Sequence, residues 1–479
     1  TNTTATTWMG LTVGCAQCHD HKFDPISQRE FYSMMAFFSK AQDVELDAPM
    51  PGELGPWLAS RASYEKSRQV TLAEAPVAEW QNAWEEKMRA AITKPGLTIE
   101  WDFAVTSFRV MFDNAEKVML APAAKRSQRD AWRLTRYFVA NPGPEFNRNK
   151  ENGDRLKALR KKIDDLEAAT PQISQASAVQ QDPNAPAQHL AIRGDWKQKG
   201  ITVEAAPLAV LPEWKPNGEP ERLAFAKWLV SKENPLTARV IVNRYWQEFF
   251  GRGLVKTSED FGMQGDKPSH PELLDWLARD FRESGWSVKR LHRQIVLSAT
   301  YRQTSKARED VAAVDSDNAL LARQARLRLS AEGIRDAALA VSGLWSSTVG
   351  GPSVRPPQPK GVAEITYGGS KWKESEGPDR YRRGLYVHFQ RTSPYPMLMN
   401  FDTPDMNVAC SRRRTSNTPL QALNLLNDPV FFEAAQGLAY RVRTEAPEEL
   451  TARVQYAFAL AVGRQASERE LARLKTYID

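Results

Sequence analysis

The chain is short of the residues from which covalent frameworks are built. Three cysteines in 479 residues exclude a disulfide scaffold. No apolar run approaches the roughly eighteen residues of a membrane span, so no transmembrane segment is expected. There is no Gly-rich phosphate loop, no Walker pattern, no G-x-S-x-G elbow and no internal repeat. The first residue is Thr1 and no signal peptide is visible. The chain therefore reads as a fragment or a processed form, and the missing signal says little about location. The positive excess is only 7 charges. That permits an acidic partner without demanding one, and no nucleic-acid partner is expected. With 42% hydrophobic and 26% charged residues, the chain has enough apolar material for sizeable cores. Its length suggests two or three domains.

What is present is concentrated near the start. Gly14 to Pro25 reads GCAQCHDHKFDP. Cys15, Cys18 and His19 spell C-x-x-C-H, the attachment signature of a c-type haem. Two thiols at this spacing can reach the two vinyl groups of one porphyrin, and the next residue can ligate the iron as proximal imidazole. Two other readings compete. In a zinc knuckle, Cys15, Cys18 and His21 would be three of the four ligands that a closed site needs; the remaining cysteine, Cys410, is remote in sequence. In the third reading the segment is a small disulfide or a buried turn with no cofactor. Asp20, His21 and Asp24 would supply a partner that orients His19, a divalent-metal cluster, or a solvated turn. Met34, Met35 and His21 are candidates for a distal iron ligand. For the two methionines, core packing at helical spacing is the simpler reading. Haem c needs assembly on the oxidising side of a membrane, so that reading places the protein in the periplasm or outside the cell.

Taken in order, Ser27 with Glu30 forms a capping box for a helix whose apolar face is Phe31, Met34, Met35 and Phe38. Asp43 to Pro56 reads as loop, and Arg61 to Ala91 as helix. Leu97, Ile99, Trp101 and Phe103 alternate, as do Phe108, Val110 and Phe112; this period of two predicts a small β insertion over 97–122. Asp130 to Phe138 is helical, Asn141 to Gly153 a polar break, and Asp154 to Ala169 an amphipathic helix. Pro171 to Pro186 reads as a linker. From Glu219 onward, Asn234-Pro235, Ser269 to Pro271, Ser287, Ser330, Thr418-Pro419, Asp428-Pro429 and Ser467 with Glu470 mark helix starts. Gly343 to Tyr381 is irregular, and Leu385 to Phe389 fits one strand. The fold class is thus mainly α, a helical C-terminal domain with a small mixed α/β middle insertion.

At this point the residues carry a family likeness. The segment from Gly10 to Ser39, which contains GCAQCHDHKFDP, resembles the end of the PSCyt-type domain of planctomycete cytochrome-associated exported proteins. The segments from Arg222 to Ser305, from Arg382 to Phe431 and from Ala457 to Leu471 resemble the PSD-type domain that follows it, and Ile192 to Gly200 fits the connector. The domains expected are 1–45 (the PSCyt-type remnant), 46–186 (a mixed insertion with a helical hairpin and a linker), 187–217 (an extended connector) and 218–479 (the PSD-type helical domain). The resemblance implies export, a haem at the C-x-x-C-H turn and an association with bacteria that degrade sulfated polysaccharides. It implies no established biochemical role.

Two further sets bear on function. Asn243, Arg244, His270, Glu272, Asp275, His292 and Arg293 are more polar than helix packing requires. Arg380, Arg382, Arg383, His388, Arg391, Arg412, Arg413 and Arg414 form a basic set, and arginine forks suit sulfate, phosphate and carboxylate. The bland reading of that set is pairing with Asp379, Asp402 and Asp405. The leading expectation is an exported c-type haem protein with an electron-transfer or redox role linked to sulfated polysaccharide, with an unspecified redox partner. The alternative is a glycan-binding or scaffold module, or a hydrolase, in which the C-x-x-C-H turn is structural and the arginines meet an anionic polysaccharide. The residues do not decide whether the protein is an enzyme.

Overall fold

The computed structural model describes residues 1–96, 98–112, 114–182, 185–362 and 372–478. These residues fall into two units, one made of 1–37 with 187–479 and the other of 38–186. Helix dominates both, and the strands among the described residues pair into two antiparallel two-stranded sheets.

The first long helix is α1, Gln28–Ser39. Its start is the reciprocal cap that the sequence signals. The Ser27 amide donates to Glu30 Oε2 at 2.7 Å, and the Glu30 amide donates to Ser27 Oγ at 3.2 Å. Two otherwise orphaned donors are satisfied this way. Phe31, Tyr32, Met34 and Phe37 bury the apolar face. Phe37 stacks on Phe225 with ring centroids 4.3 Å apart.

The unit of residues 38–186 holds β1 (Ala41–Asp47), α2 (Leu54–Leu72), α3 (Val77–Thr93), α4 (Ile99–Met111), α5 (Ala115–Leu120), α6 (Gln128–Ala140), α7 (Pro144–Arg148), α8 (Lys150–Ala169) and β2 (Gln175–Gln181). β1 pairs antiparallel with β2, Ala41 opposite Gln181 and Asp47 opposite Gln175. The insertion is therefore mixed, but its strands are not where alternation placed them. They come from segments read as loop and linker. The 97–122 segment is instead helical, apart from Leu97, which lies outside the described residues along with Asp113. The reason is that Trp101, Val105, Phe108 and Phe112 also recur at steps of four, three and four, which is one helical face. That face is buried, whereas Phe103 and Val110, the partners that alternation required, are 67% and 80% exposed. The polar break at 141–153 likewise contains α7 and the first turn of α8.

The core of this unit joins Trp84 and Met88 of α3, Phe108 of α4, Leu134 and Phe138 of α6, and Leu156, Leu159 and Ile163 of α8. One charge sits at its edge. Glu85 is 4% exposed and receives both arms of the Arg126 guanidinium, at 2.9 and 2.8 Å. Burial works against its charge. The hydrogen bonds from Arg126 and Gln81 and the charge of Arg89 outweigh it and hold the carboxyl below the usual Glu range.

The other unit resumes with the hairpin β3 (His189–Ala191) and β4 (Lys199–Thr202). Then come α9 (Glu221–Leu229), α10 (Thr237–Phe250), α11 (Pro271–Glu283), α12 (Val288–Leu297), α13 (Ala331–Ser342), α14 (Pro396–Asn400), α15 (Pro419–Asn427), α16 (Pro429–Glu445), α17 (Leu450–Val462) and α18 (Glu468–Ile478). Ser287, Ser330, Thr418 and Asp428 each cap the helix that follows, and Thr418 with Gln421 completes a capping box. Trp246, Phe250, Leu277, Phe281, Leu291 and Ile295 close one core across α10 to α12. Tyr395, Met397, Leu398, Phe401 and Phe431 build a second. The expected strand at 385–389 is not one. Gly384–Tyr386 is a 3-10 turn, and Val387 makes a single parallel bridge to Val354. Of the irregular 343–381 segment, residues 363–371 lie outside the described residues.

Candidate functional site

The C-x-x-C-H motif lies on a 3-10 turn, Val13–Gln17, that leads into Cys18 and His19. Val13 and Ala16 are buried beneath it. The turn thus has an apolar underside, and Cys15, Cys18 and His19 face outward. Both thiols are free and exposed. The turn is fixed to α1 through one carbonyl: Gln17 O accepts from Tyr32 Oη at 3.0 Å and from Gln28 Nε2 at 3.0 Å. Asp20 Oδ1 accepts the Gln28 amide at 2.7 Å, at the start of α1.

His19 Nδ1 lies 2.7 Å from the backbone oxygen of Asp20. A carbonyl can only accept, so Nδ1 carries a proton, and in the neutral ring Nε2 is left with the lone pair. That tautomer leaves Nε2 as the nitrogen able to ligate a metal. The orienting oxygen is the Asp20 carbonyl rather than the expected carboxylate. His21 has the opposite tautomer. Its Nδ1 accepts the amides of Asp24 at 2.9 Å and Phe23 at 3.3 Å, so Nε2 holds the proton and the ring is a turn lock. Asp24 is 6% exposed. Its Oδ1 accepts the Met263 amide at 2.7 Å, tying the motif to the helical domain. Met34 is fully buried in the core, and Met35 is half-buried on α1.

Among the described residues no group of three His, Cys, Asp or Glu side chains is placed to hold a metal ion. The zinc knuckle of Cys15, Cys18 and His21 is therefore not formed. The donor set does fit a covalent haem: two exposed thiols with two residues between them, and an adjacent imidazole with Nε2 available.

One residue at this site escaped the sequence reading. Gly194, in the connector hairpin, has φ +78°, and a Cβ there would lie 2.6 Å from Cys18 Sγ. The hairpin backbone passes against the second thiol, and Gln28 Nε2 also donates to Ala191 O at 3.1 Å. The only available signal was the glycine itself, inside an Arg-Gly-Asp turn.

The polar residues of the helical domain do not converge. Asn243, fully buried, clips the loop after α10: its Oδ1 accepts from the Val255 amide at 2.8 Å and its Nδ2 donates to Val255 O at 3.0 Å. Arg244 donates to the carbonyls of Thr6 and Thr7. Asp275 pairs with Arg239 at 2.6 Å. His270 contacts Ser269 Oγ at the start of α11, and the His292 ring packs edge-on against Tyr245 and Phe249. Glu272 and Arg293 are exposed.

Most of the basic set is engaged with other protein groups. Arg380 pairs with Glu433 and Glu374, Arg383 with Asp336, Arg412 with Glu259 and Arg413 with Glu332. Arg382 is 2% exposed; it donates to the carbonyls of Pro352 and Gly350 and lies over the Tyr386 ring. His388 is half-buried beside Trp372, and burial lowers its basicity. Arg391 and Arg414 are exposed.

The architecture is a helical protein with an exposed C-x-x-C-H turn anchored on a capped helix. Residues 221–478 match the family model described as PSD1, protein of unknown function (DUF1553), and the chain belongs to that family. Residues 1–43 match PSCyt2, protein of unknown function (DUF1549). No curated protein and no solved structure matches the chain.

Proposed function

We propose that this chain is an exported c-type haem protein with an electron-transfer or redox role. The reading rests on one observation: two free, exposed thiols and an imidazole with Nδ1 held by the Asp20 carbonyl share a single turn. The Cys15 and Cys18 thiols would each add S–H across a vinyl group, forming a C–S bond while the proton goes to the neighbouring vinyl carbon. His19 Nε2 would ligate the iron. Bound haem supplies one-electron chemistry. The chain's own part is to hold the turn still, through Gln17 O on α1 and Asp24 on the Met263 amide, and to set the His19 tautomer.

The test is expression with a cytochrome c maturation system, followed by the pyridine haemochrome spectrum of the purified chain. A covalent haem signal is expected, and Cys18→Ala should lose the two-thioether spectrum. A full-length, folded, colourless wild-type product under those conditions refutes the reading. No observation favours a catalytic or glycan-binding role for this turn, and most of the arginines first considered for a sulfated polysaccharide are engaged with protein partners.

A further inference from the structure

We propose that a cavity of about 450 Å3 in the helical domain binds a small ligand bearing a sulfate or phosphate ester. It opens between the end of α10, the 317–331 segment and the chain after α14. Six arginines line it, Arg252, Arg323, Arg326, Arg328, Arg413 and Arg414, against three acidic residues, Glu248, Asp317 and Asp402. Its volume falls within the range of small-molecule sites.

The positive excess is not cancelled from within. Arg252 lies 3.4 Å from Asp317, Arg328 pairs with Asp402, and Arg413 pairs with Glu332 at 2.6 Å. Asp402 is further committed, accepting the amide and hydroxyl of Ser416 at 2.8 and 2.7 Å. Among the described residues no carboxylate lies within ion-pair distance of Arg323, Arg326 or Arg414. Arg326 gives its Nε to Ser305 O at 3.0 Å, and its two terminal nitrogens remain. The Nε atoms of Arg252 and Arg328 are buried without an acceptor. Like charges gathered in a partly enclosed space repel one another, and unmet buried donors cost stability. A multivalent anion in the cavity relieves the repulsion.

The geometry points to a tetrahedral oxyanion over a carboxylate. The unpaired guanidinium groups come from two separate stretches of chain, 323–326 and 414. A carboxylate has two coplanar oxygens and suits one fork, whereas a sulfate or phosphate ester presents three oxygens in different directions. Phe250, Leu327 and Phe401 provide apolar wall for the rest of the ligand.

The experiment is isothermal titration of the full chain with glucose 6-sulfate, glucose 6-phosphate and glucose at low salt. At least one ester should bind and glucose should not; the better ester identifies the source of the anionic group. Arg323→Ala with Arg414→Ala should weaken binding at least tenfold. Arg391→Ala, outside the cavity, should leave it unchanged. Because the double variant removes no ion pair, its fold should persist. Should its circular dichroism nonetheless collapse, Arg323→Lys with Arg414→Lys keeps the charge, loses the forks and should bind several-fold more weakly. Failure of both esters to bind, equal binding of glucose, or unchanged binding by the folded variants overturns the proposal. None of these outcomes depends on haem attachment.

Discussion

Replacing Gly194 by alanine perturbs the C-x-x-C-H turn from outside the motif. Two penalties are readable from the structure. At φ +78° an L-residue is left-handed, and that conformation costs about 1–2 kcal/mol. The new Cβ would also stand 2.6 Å from Cys18 Sγ, so the thiol must leave its rotamer or the hairpin must shift. A displacement of that kind costs about 0.5–1.5 kcal/mol. Together they should weaken the local fold by about 1.5–3.5 kcal/mol. Hydrogen exchange reads this locally, at the amides of Ile192 and Asp195, which donate to Gln198 O and Ile192 O at 3.0 and 3.1 Å. Cys18→Ala removes Sγ and keeps Cβ, so in that background only the φ penalty remains. The double-mutant cycle should show a coupling of about 1 kcal/mol. Equal costs in the two backgrounds, within about 0.3 kcal/mol, would refute steric contact between Gly194 and Cys18. If the thiol is alkylated by haem it cannot rotate away, so Gly194→Ala should also lower the yield of covalent haem.

The remaining predictions concern the unit of residues 38–186. Glu85→Gln leaves the buried Arg126 without its carboxylate and should cost about 3–5 kcal/mol in urea denaturation. Because the folded carboxyl is held below its ordinary value, its contribution is present above about pH 4.3 and is lost as pH falls through the folded value. The gap between wild type and Glu85→Gln should therefore hold steady above about pH 4.3 and shrink as pH falls below it, and a gap that stays constant in acid would contradict the assignment. Trp101→Ala should cost about 3–5 kcal/mol, while Phe103→Ala, on the exposed side of α4, should change stability by less than about 0.5 kcal/mol. Similar losses for both would restore the strand reading of this segment.

Much of the helical domain is legible in the sequence because its signals are local. Ser27 with Glu30, Ser287, Ser330, Thr418 and Asp428 cap helices through bonds spanning two or three residues, and no distant partner is needed to read them. The C-x-x-C-H turn is legible for the same reason, since its chemistry depends on spacing. The 97–122 segment is not. Its aromatic residues satisfy both a period of two and a helical face, and only the core supplied by α3, α6 and α8 selects Trp101, Val105 and Phe108 for burial. β1 and β2 were equally hidden, because each is polar and the two are over a hundred residues apart, so pairing with the other is what makes either a strand.

The arginines show the same division. Their number is plain from the sequence, but their partners are tertiary: Arg380 meets Glu433 across fifty-three residues and Arg413 meets Glu332 across eighty-one. What sequence alone determined is where the capped helices after Ser27, Ser287, Ser330, Thr418 and Asp428 begin, since each cap is a contact between near neighbours. What tertiary structure decided is which charges are satisfied, which tautomer His19 and His21 hold, and that Gly194 lies on Cys18. Each of these depends on groups that chain folding brings together from distant positions.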